Sequence, residues 1–322
     1  GIVDLGEENQ DVNELLSQAD VACYVAKDLG RNRIHVYQEG DAAERHREMQ
    51  WVARINQARD DDRFELFFQP IVPIAETVDA VPKYELLLRM RTEAGDYVPP
   101  NAFIPAAERY NLMPSIDRWV IEQVFDKLVC NGQDGSLQYT LAVNLSGTTL
   151  NDAKFLEYML EQLSNARLPD SALCFEVTET AAIANLSHVV HCMNTLRAQG
   201  CKFALDDFGS GLSSLTYLKN LPVDYLKIDG AFAKEVAKDP VAASMVGAIS
   251  QIGREMGLET IAEFVESAEV QKKIRELGVH YVQGWHVGKP RPLMDQLVEL
   301  TSSMETGSPT VSSPLSALEE QE

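Results

Sequence analysis

CKFALDDFGSGLSSLTYLKNLPVDYLKIDGAF, residues 201–232, decides how the rest of the chain is read. Lys202 to Leu205 is a short apolar run that ends in two carboxylates, Asp206 and Asp207. A loop with Gly209 and Gly211 follows, where backbone without Cβ turns tightly or approaches a ligand. Ser213 to Leu221 has the pattern of a short helix with Leu215 and Leu218 on one face, and Pro222 ends it. A second β-type run, Val223 to Ile228, carries Lys227 and stops at Asp229. Strand, loop, helix and strand in that order make the crossover unit of a parallel sheet. Its acids stand at strand C-termini, where α/β folds place their chemistry. Capping or turn formation accounts for one such Asp. Two carboxylates before a Gly-rich loop, with Lys and Asp at the next strand end, point instead to a metal or phosphate site.

Outward from this unit, β-type runs alternate with amphipathic stretches. The strand candidates are 64–71, 84–90, 139–146, 173–180, 202–208, 223–230, 259–266 and 281–288. Helical patterns fall at 115–130, 153–166, 185–199, 241–256 and 267–277, with Gly200, Gly257 and Gly278 near helix ends as C-caps. Only a Pro-containing connection, 72–82, joins the first two strands, so that pair is expected as a hairpin. The series fits a (β/α) barrel with one irregular strand pair.

The 322 residues suffice for one large α/β domain with appendages or two ordinary domains. An apolar fraction of 45% and a charged fraction of 24% are those of a globular chain. No apolar run approaches the roughly 20 residues that span a bilayer, so no membrane contact is expected within this sequence. The opening GIVDLGEENQ has neither a basic nor an apolar leader region and no Met, as expected of a piece cut from a longer chain, in which an upstream membrane or sensor segment would not show here. Five cysteines without CxxC spacing argue against zinc clusters and disulfides and for a reducing cytoplasm. A net charge of −21 excludes long nucleic acid as a partner, though divalent cations let a carboxylate-lined site take a small anion. Residues 41–60 read as a charged linker helix, and the Ser-, Thr-, Pro- and Glu-rich tail 301–322 as disordered.

Polar residues cluster late in the strand candidates: Glu85 and Arg89, Asn144, Glu176 and Glu179, Asp206 and Asp207, Lys227 and Asp229, Glu263 and Glu266, and Gln283. One such residue is an ordinary solvated strand end. Several strands bringing them to one barrel mouth require pairing or metal binding, because isolated buried charge is costly. Hard oxygen ligands without a Cys or His cluster suit Mg²⁺ or Mn²⁺, and carboxylates beside a lysine suit two-metal hydrolysis of a phosphodiester. His188 and His191, three apart without a third ligand, read as a solvated helix face.

The segments YELLLRM (84–90), VNLS (143–146), FEVTET (175–180), DDFGSGLSSL (206–215), LKIDG (226–230), AEFVE (262–266) and QGWHVGKP (283–290) resemble, in order, the motifs of the EAL domain family over roughly residues 44–300. Leu86 stands where Ala is commonest, and Trp285 where Tyr is usual; no ligand position is lost. The resemblance implies a modified TIM (β/α)8 barrel with an antiparallel first strand pair, placed at 61–300. It also implies hydrolysis of cyclic di-GMP to linear pGpG with Mg²⁺ or Mn²⁺, and frequent homodimers. By the same resemblance Glu85, Asn144, Glu176, Asp206 and Asp207 are metal ligands, Glu263 is a further acid at the metal centre, and Lys227 holds the nucleophilic water. Leu87, Arg89, Glu266 and Gln283 fall at substrate-contacting positions, Gln283 also supporting the metal–water arrangement. Glu179 matches the anchor of the DDFG loop. Residues 19–37 resemble the end of a diguanylate cyclase (GGDEF) domain without its signature loop, so 1–40 is expected to be a remnant of one. The competing expectation is a catalytically silent receptor for the same dinucleotide.

Overall fold

The computed structural model describes residues 1–4, 11–28, 32–75, 81–131, 139–166, 168–209 and 217–293. Leu5, Gly30, the loop residues 210–216 and the tail 301–322 lie outside the described residues. The chain divides into two compact units, Gly1–Arg63 with Arg91–Leu112, and Phe64–Met90 with Met113–Glu322.

In the first unit, helix Val12–Asp28 is followed by helix Glu39–Asp60, which spans the expected linker helix, and Ile2 bridges Val36 in parallel. This unit also holds a helix, Pro100–Arg109, for which the sequence reading made no provision. Two prolines at its start and Pro105 inside it disguise the segment, yet Pro is tolerated in a first turn, where the N–H has no partner anyway. Its buried face is Phe103, Ala106 and Ala107.

The second unit is built on eight strands: β1 Phe64–Pro73, β2 Lys83–Arg91, β3 Thr140–Asn144, β4 Leu173–Thr178, β5 Lys202–Phe208, β6 Tyr225–Ile228, β7 Glu259–Ala262 and β8 Tyr281–Val282. Each falls on one expected run, β1 and β2 extending past theirs. β2 to β8 pair in parallel with their neighbours, and β1 closes the ring antiparallel to both β2 and β8. The hairpin connection explains β1, because strands joined without a crossover helix can only run antiparallel. The result is a closed eight-stranded α/β barrel, as the strand–helix alternation implied.

Several strands end earlier than the apolar patterns suggested. β7 stops at Ala262 and β8 at Val282, so Glu263 and Gln283 begin the loops beyond them. Behind the Gly-rich loop the described chain resumes with a single 3-10 turn, Leu218–Asn220, where the pattern suggested a helix from Ser213. Helix Pro240–Met256 starts on an Asp239 cap and stops at Gly257 with φ 71°, and Gly200 and Gly278 also have positive φ at helix ends.

Strand residues alternate between two environments. Leu86, Leu141, Val143, Phe175, Phe203, Leu205, Leu226 and Ile228 face outward into the core beneath the helices. Ile71, Ala142, Cys174, Ala204, Tyr225, Ile261 and Tyr281 form a separate apolar layer inside the ring. Two residues along each strand, the same inward face carries Gln69, Asn144, Glu176, Asp206, Lys227, Glu263 and Gln283, with Glu85 beside them on β2. The barrel is therefore plugged with hydrocarbon below and filled with polar groups at its C-terminal mouth. Among the described residues no helix is long and apolar enough to cross a membrane.

Candidate active site

Lys227 is the centre of the polar layer. Its side chain is 1% exposed, and Nζ lies 2.5 Å from Glu176, 2.8 Å from Glu263, 3.2 Å from Asp206 and 3.5 Å from Glu85. Burial works against its charge, but Asp206, Glu176, Glu263 and Glu85 together outweigh it and hold the ammonium well above the ordinary lysine value.

Glu85 is fixed from three sides. Its Oε1 accepts from Asn144 Nδ2 at 2.7 Å and its Oε2 from Gln283 Nε2 at 2.6 Å, with Lys227 beyond. Burial raises its pKa, yet Lys227, the two amide hydrogen bonds and the contact with Glu176 reverse the sign and leave it lowered. Glu176 has the opposite fate: burial first, then the neighbouring Glu85, push it well up against the pull of Lys227. Adjacent buried carboxyls cannot both ionise cheaply, so the two shift in opposite directions. Glu263 is likewise pushed up to about 8 by burial and by Asp206 and Glu85, with Lys227 opposing.

Asp206 and Asp207 are consecutive, and in a regular strand their side chains would point to opposite faces. The pairing of β5 with β6 slips between Leu205 and Phe208, and Asp207 adopts φ 54°. That bulge turns the second carboxylate back toward the first. Ligand atoms of Asp206, Asp207 and Glu263 then lie within 4.8 Å of one another, the one such group of His, Cys, Asp or Glu able to hold a metal ion among the described residues. His188 and His191 belong to no such group. Burial raises the Asp207 carboxyl, and Asp206 and Asp229 add to it.

This donor set fits divalent cations. Its candidate ligand atoms are carboxylate and amide oxygens, with no thiolate or imidazole among them. Glu176 Oε1, Asp206 Oδ1 and Gln283 Oε1 are buried acceptors without a hydrogen-bond partner, Asp206 Oδ1 being near Lys227 but out of alignment with it. Five acids, Glu85, Glu176, Asp206, Asp207 and Glu263, surround one lysine, an excess that only protons or cations can offset.

Supports reach the mouth from several elements. Asp117 accepts from the Ser146 amide at 3.0 Å and the Thr149 hydroxyl at 2.6 Å, fixing the chain just past Asn144. Glu179 is buried and accepts from Gly209 N at 3.4 Å and the Tyr217 hydroxyl at 2.5 Å, the two described ends of the Gly-rich loop. Leu87 and Arg89 follow Glu85 on the same face of β2 and are half-buried; Arg89 stands 5.3 Å over the Phe67 ring. Glu266 is exposed, just before the Ser267 cap of helix Ala268–Glu276.

Two assignments change. Asp229 caps helix Gly230–Glu235 through a 2.8 Å bond from Ala231 N, the ordinary role of an Asp after a strand. Gln69, which sequence reasoning passed over, is buried opposite Glu85 in the antiparallel register. Its Oε1 accepts from Gln283 Nε2 at 3.2 Å and its Nε2 donates to Gly288 O at 3.0 Å, so it clamps the amide that holds Glu85. Its only signal was an amide inside an apolar run.

The family model for the EAL domain matches residues 52–290. The cyclic di-GMP phosphodiesterase PdeB of Shewanella oneidensis is 40% identical over 282 residues, 87% of this chain and 33% of that protein. The chain spans about a third of the length of the first curated relatives it matches. The PaMucR phosphodiesterase in complex with c-di-GMP, from Pseudomonas aeruginosa, superposes with a TM-score of 0.71 at 32% identity, covering 77% of this chain and 99% of that one. The FimX EAL domain of Pseudomonas aeruginosa bound to c-di-GMP gives 0.68 at 31% identity, covering 74% and 96%. With the closed barrel, the antiparallel first strand and the acid-lined mouth in place, these matches show that the chain belongs to the EAL domain family.

Proposed function

We propose that this domain hydrolyses cyclic di-GMP to linear 5′-pGpG with Mg²⁺ or Mn²⁺. The observation that carries the reading is the ring of Glu85, Asn144, Glu176, Asp206, Asp207 and Glu263 around Lys227, in a fold whose relatives are named for this activity. Glu85, Asn144, Glu176 and Asp206 would hold one cation, and Asp207 with its neighbours a second. When bound, the ions supply Lewis acidity toward the phosphodiester and a lowered pKa for water.

The chain's own groups do the rest. Gln283 and Asn144, donating to Glu85, hold it ionised and in one orientation. Lys227 donates to the attacking oxygen and fixes its line of approach. Glu263, 2.8 Å from Lys227 and within the acid cluster, is placed to take the water's proton. The water oxygen adds to phosphorus, the P–O3′ bond breaks, and the freed 3′ oxygen takes a proton from solvent as Glu263 returns its own to solvent. Leu87, Arg89 and Glu266 are assigned to the dinucleotide, Arg89 to phosphate and Glu266 to the donor edge of guanine.

The wider reading keeps residues 1–40 as a GGDEF remnant and 41–60 as its linker, supported by the two helices found there. It also keeps a cytoplasmic homodimer, which sedimentation of the purified protein tests. The deciding experiment is chromatography of cyclic di-GMP incubated with the protein and Mn²⁺ or Mg²⁺. The expected product is pGpG, and Glu85→Ala is expected to lower the rate by about a thousandfold or more. Tight binding without any pGpG would reject hydrolysis and leave a receptor.

A further inference from the structure

Phe264 follows Glu263 at the barrel mouth and is 51% exposed. One exposed aromatic residue is unremarked on most surfaces. This one has φ 51°, a conformation that bulky side chains avoid and that costs free energy unless the surroundings impose it. The surroundings do impose it. Val265 N donates to Gln283 O at 2.9 Å, and His286 N to Val265 O at 3.0 Å, tying the segment to the loop after β8. Gly284 permits this approach, since a Cβ there would lie 2.2 Å from Val265 O.

The ring is then received by a second glycine. A Cβ on Gly230 would stand 2.1 Å from Phe264 Cδ2, so only glycine leaves room for the ring in this position. Lys234, one turn along the helix that Gly230 begins, places Nζ 4.2 Å from the ring centroid. The loops after β6, β7 and β8 thus cooperate to hold one hydrophobic ring half in solvent, next to an acid of the metal cluster. Core packing explains none of this, because a core ring would be covered.

We infer that Phe264, backed by Lys234, is a purine-stacking platform that sets affinity for one guanine of the substrate. The inference rests on the proposed activity, whose substrate supplies two purine faces. Base–aromatic stacking is tolerant of exposure and needs a rigid, presented ring, which the strained backbone and the Gly230 seat provide.

The test compares Phe264→Gly, Phe264→Leu and Phe264→Tyr with the unaltered chain. It measures hydrolysis of cyclic di-GMP in Mn²⁺, its binding by calorimetry without divalent cation, and Tm. Stacking predicts that Gly and Leu raise KM and Kd about tenfold with kcat changed by less than about twofold, and that Tyr restores both. The Gly variant relieves the positive φ, so its Tm is expected to hold or rise while its affinity falls. KM and Kd within about twofold of the parent in all three variants would overturn the platform. So would weakened binding in the Gly variant that tracks a loss of Tm and is not rescued by Tyr. If the unaltered chain neither binds nor cleaves cyclic di-GMP, the proposed activity itself fails; normal activity with indifferent variants rejects only the role of Phe264.

Discussion

Two lysines reach into the same barrel from opposite ends. Lys227, on β6, meets four carboxylates at the C-terminal mouth. Lys83, at the start of β2, meets aromatic rings: Nζ donates to the Tyr281 hydroxyl at 2.8 Å and lies 4.1 Å from the centre of that ring and 5.6 Å from that of Tyr225. The Tyr281 hydroxyl passes the chain on to Glu259 at 3.2 Å. Burial opposes both ammonium groups. At Lys83 it wins, and the pKa is lowered with Glu259 opposing; at Lys227 the surrounding acids win and the pKa is well raised. What separates the chemical end of the barrel from its closed end is therefore the surplus of acid over base. Depth of burial cannot explain the difference, because Lys227, the more deeply buried of the two, is the one whose charge is favoured.

Removing the larger charge breaks the comparison most severely. Lys227→Met leaves the mouth's acids facing one another, and truncating one partner of a buried pair costs about 3–5 kcal/mol. Urea unfolding at neutral pH without divalent cation is expected to show that loss, and turnover is expected to fall by about a thousandfold. An unchanged unfolding midpoint would mean the acids are already protonated and the ion pairs worth little.

Titration sharpens the same contrast without mutation. Glu263 and Glu176 have folded-state pKa values above the ordinary 4.5, Glu263 at about 8. Acids of this kind bind extra protons when folded, so their contribution favours the fold at low pH and declines as pH rises from about 4.5 toward 8. Glu85, lowered, contributes in the opposite sense, and its contribution changes only below about 4.5, outside that window. Metal-free protein is thus expected to lose on the order of 3 kcal/mol across that window. Millimolar Mn²⁺ displaces the same protons, so its gain in Tm is expected to grow as pH rises. A Mn²⁺ increment that is flat with pH would show that the acids are not the ligands.

The sequence reading reached this mouth for a simple reason. A charge at the end of an apolar run is conspicuous, and all eight runs became strands, β5 and the helix Ala153–Ala166 with the expected bounds. What it missed depended on geometry that no run displays. The sequence places both Asp206 and Asp207 at the metal, but period-two alternation would separate them, and the bulge that brings them together shows in no run. Gln69 carries no charge, and only the antiparallel register sets it against Glu85. Asp229 had the same signal as Asp206 but a helix to cap. Lys83 and Glu259 begin their strands, where a charged residue reads as solvated, and the ring closure that brings Tyr281 between them is invisible along the chain.

The smallest effect is expected at that closed end. Lys83→Met keeps the stem's packing against Tyr225 and Tyr281 and removes an ammonium that burial already disfavours. Because hydrophobic replacement of an imperfectly compensated buried charge is close to neutral, stability is expected to change by no more than about 1 kcal/mol, with turnover unaltered. The alkaline limb gives the sharper sign. A lysine with a lowered folded pKa makes stability rise as pH climbs from that value toward 10.5, since the folded state sheds its proton first. Lys227, raised, does the reverse: its contribution is complete below 10.5 and is lost as pH climbs through its folded pKa. Unfolding curves followed from about pH 8 upward should therefore lose a stabilising slope in Lys83→Met and a destabilising one in Lys227→Met. Slopes of the same sign in both variants would mean that the two ends of the barrel differ in shape but not in charge balance.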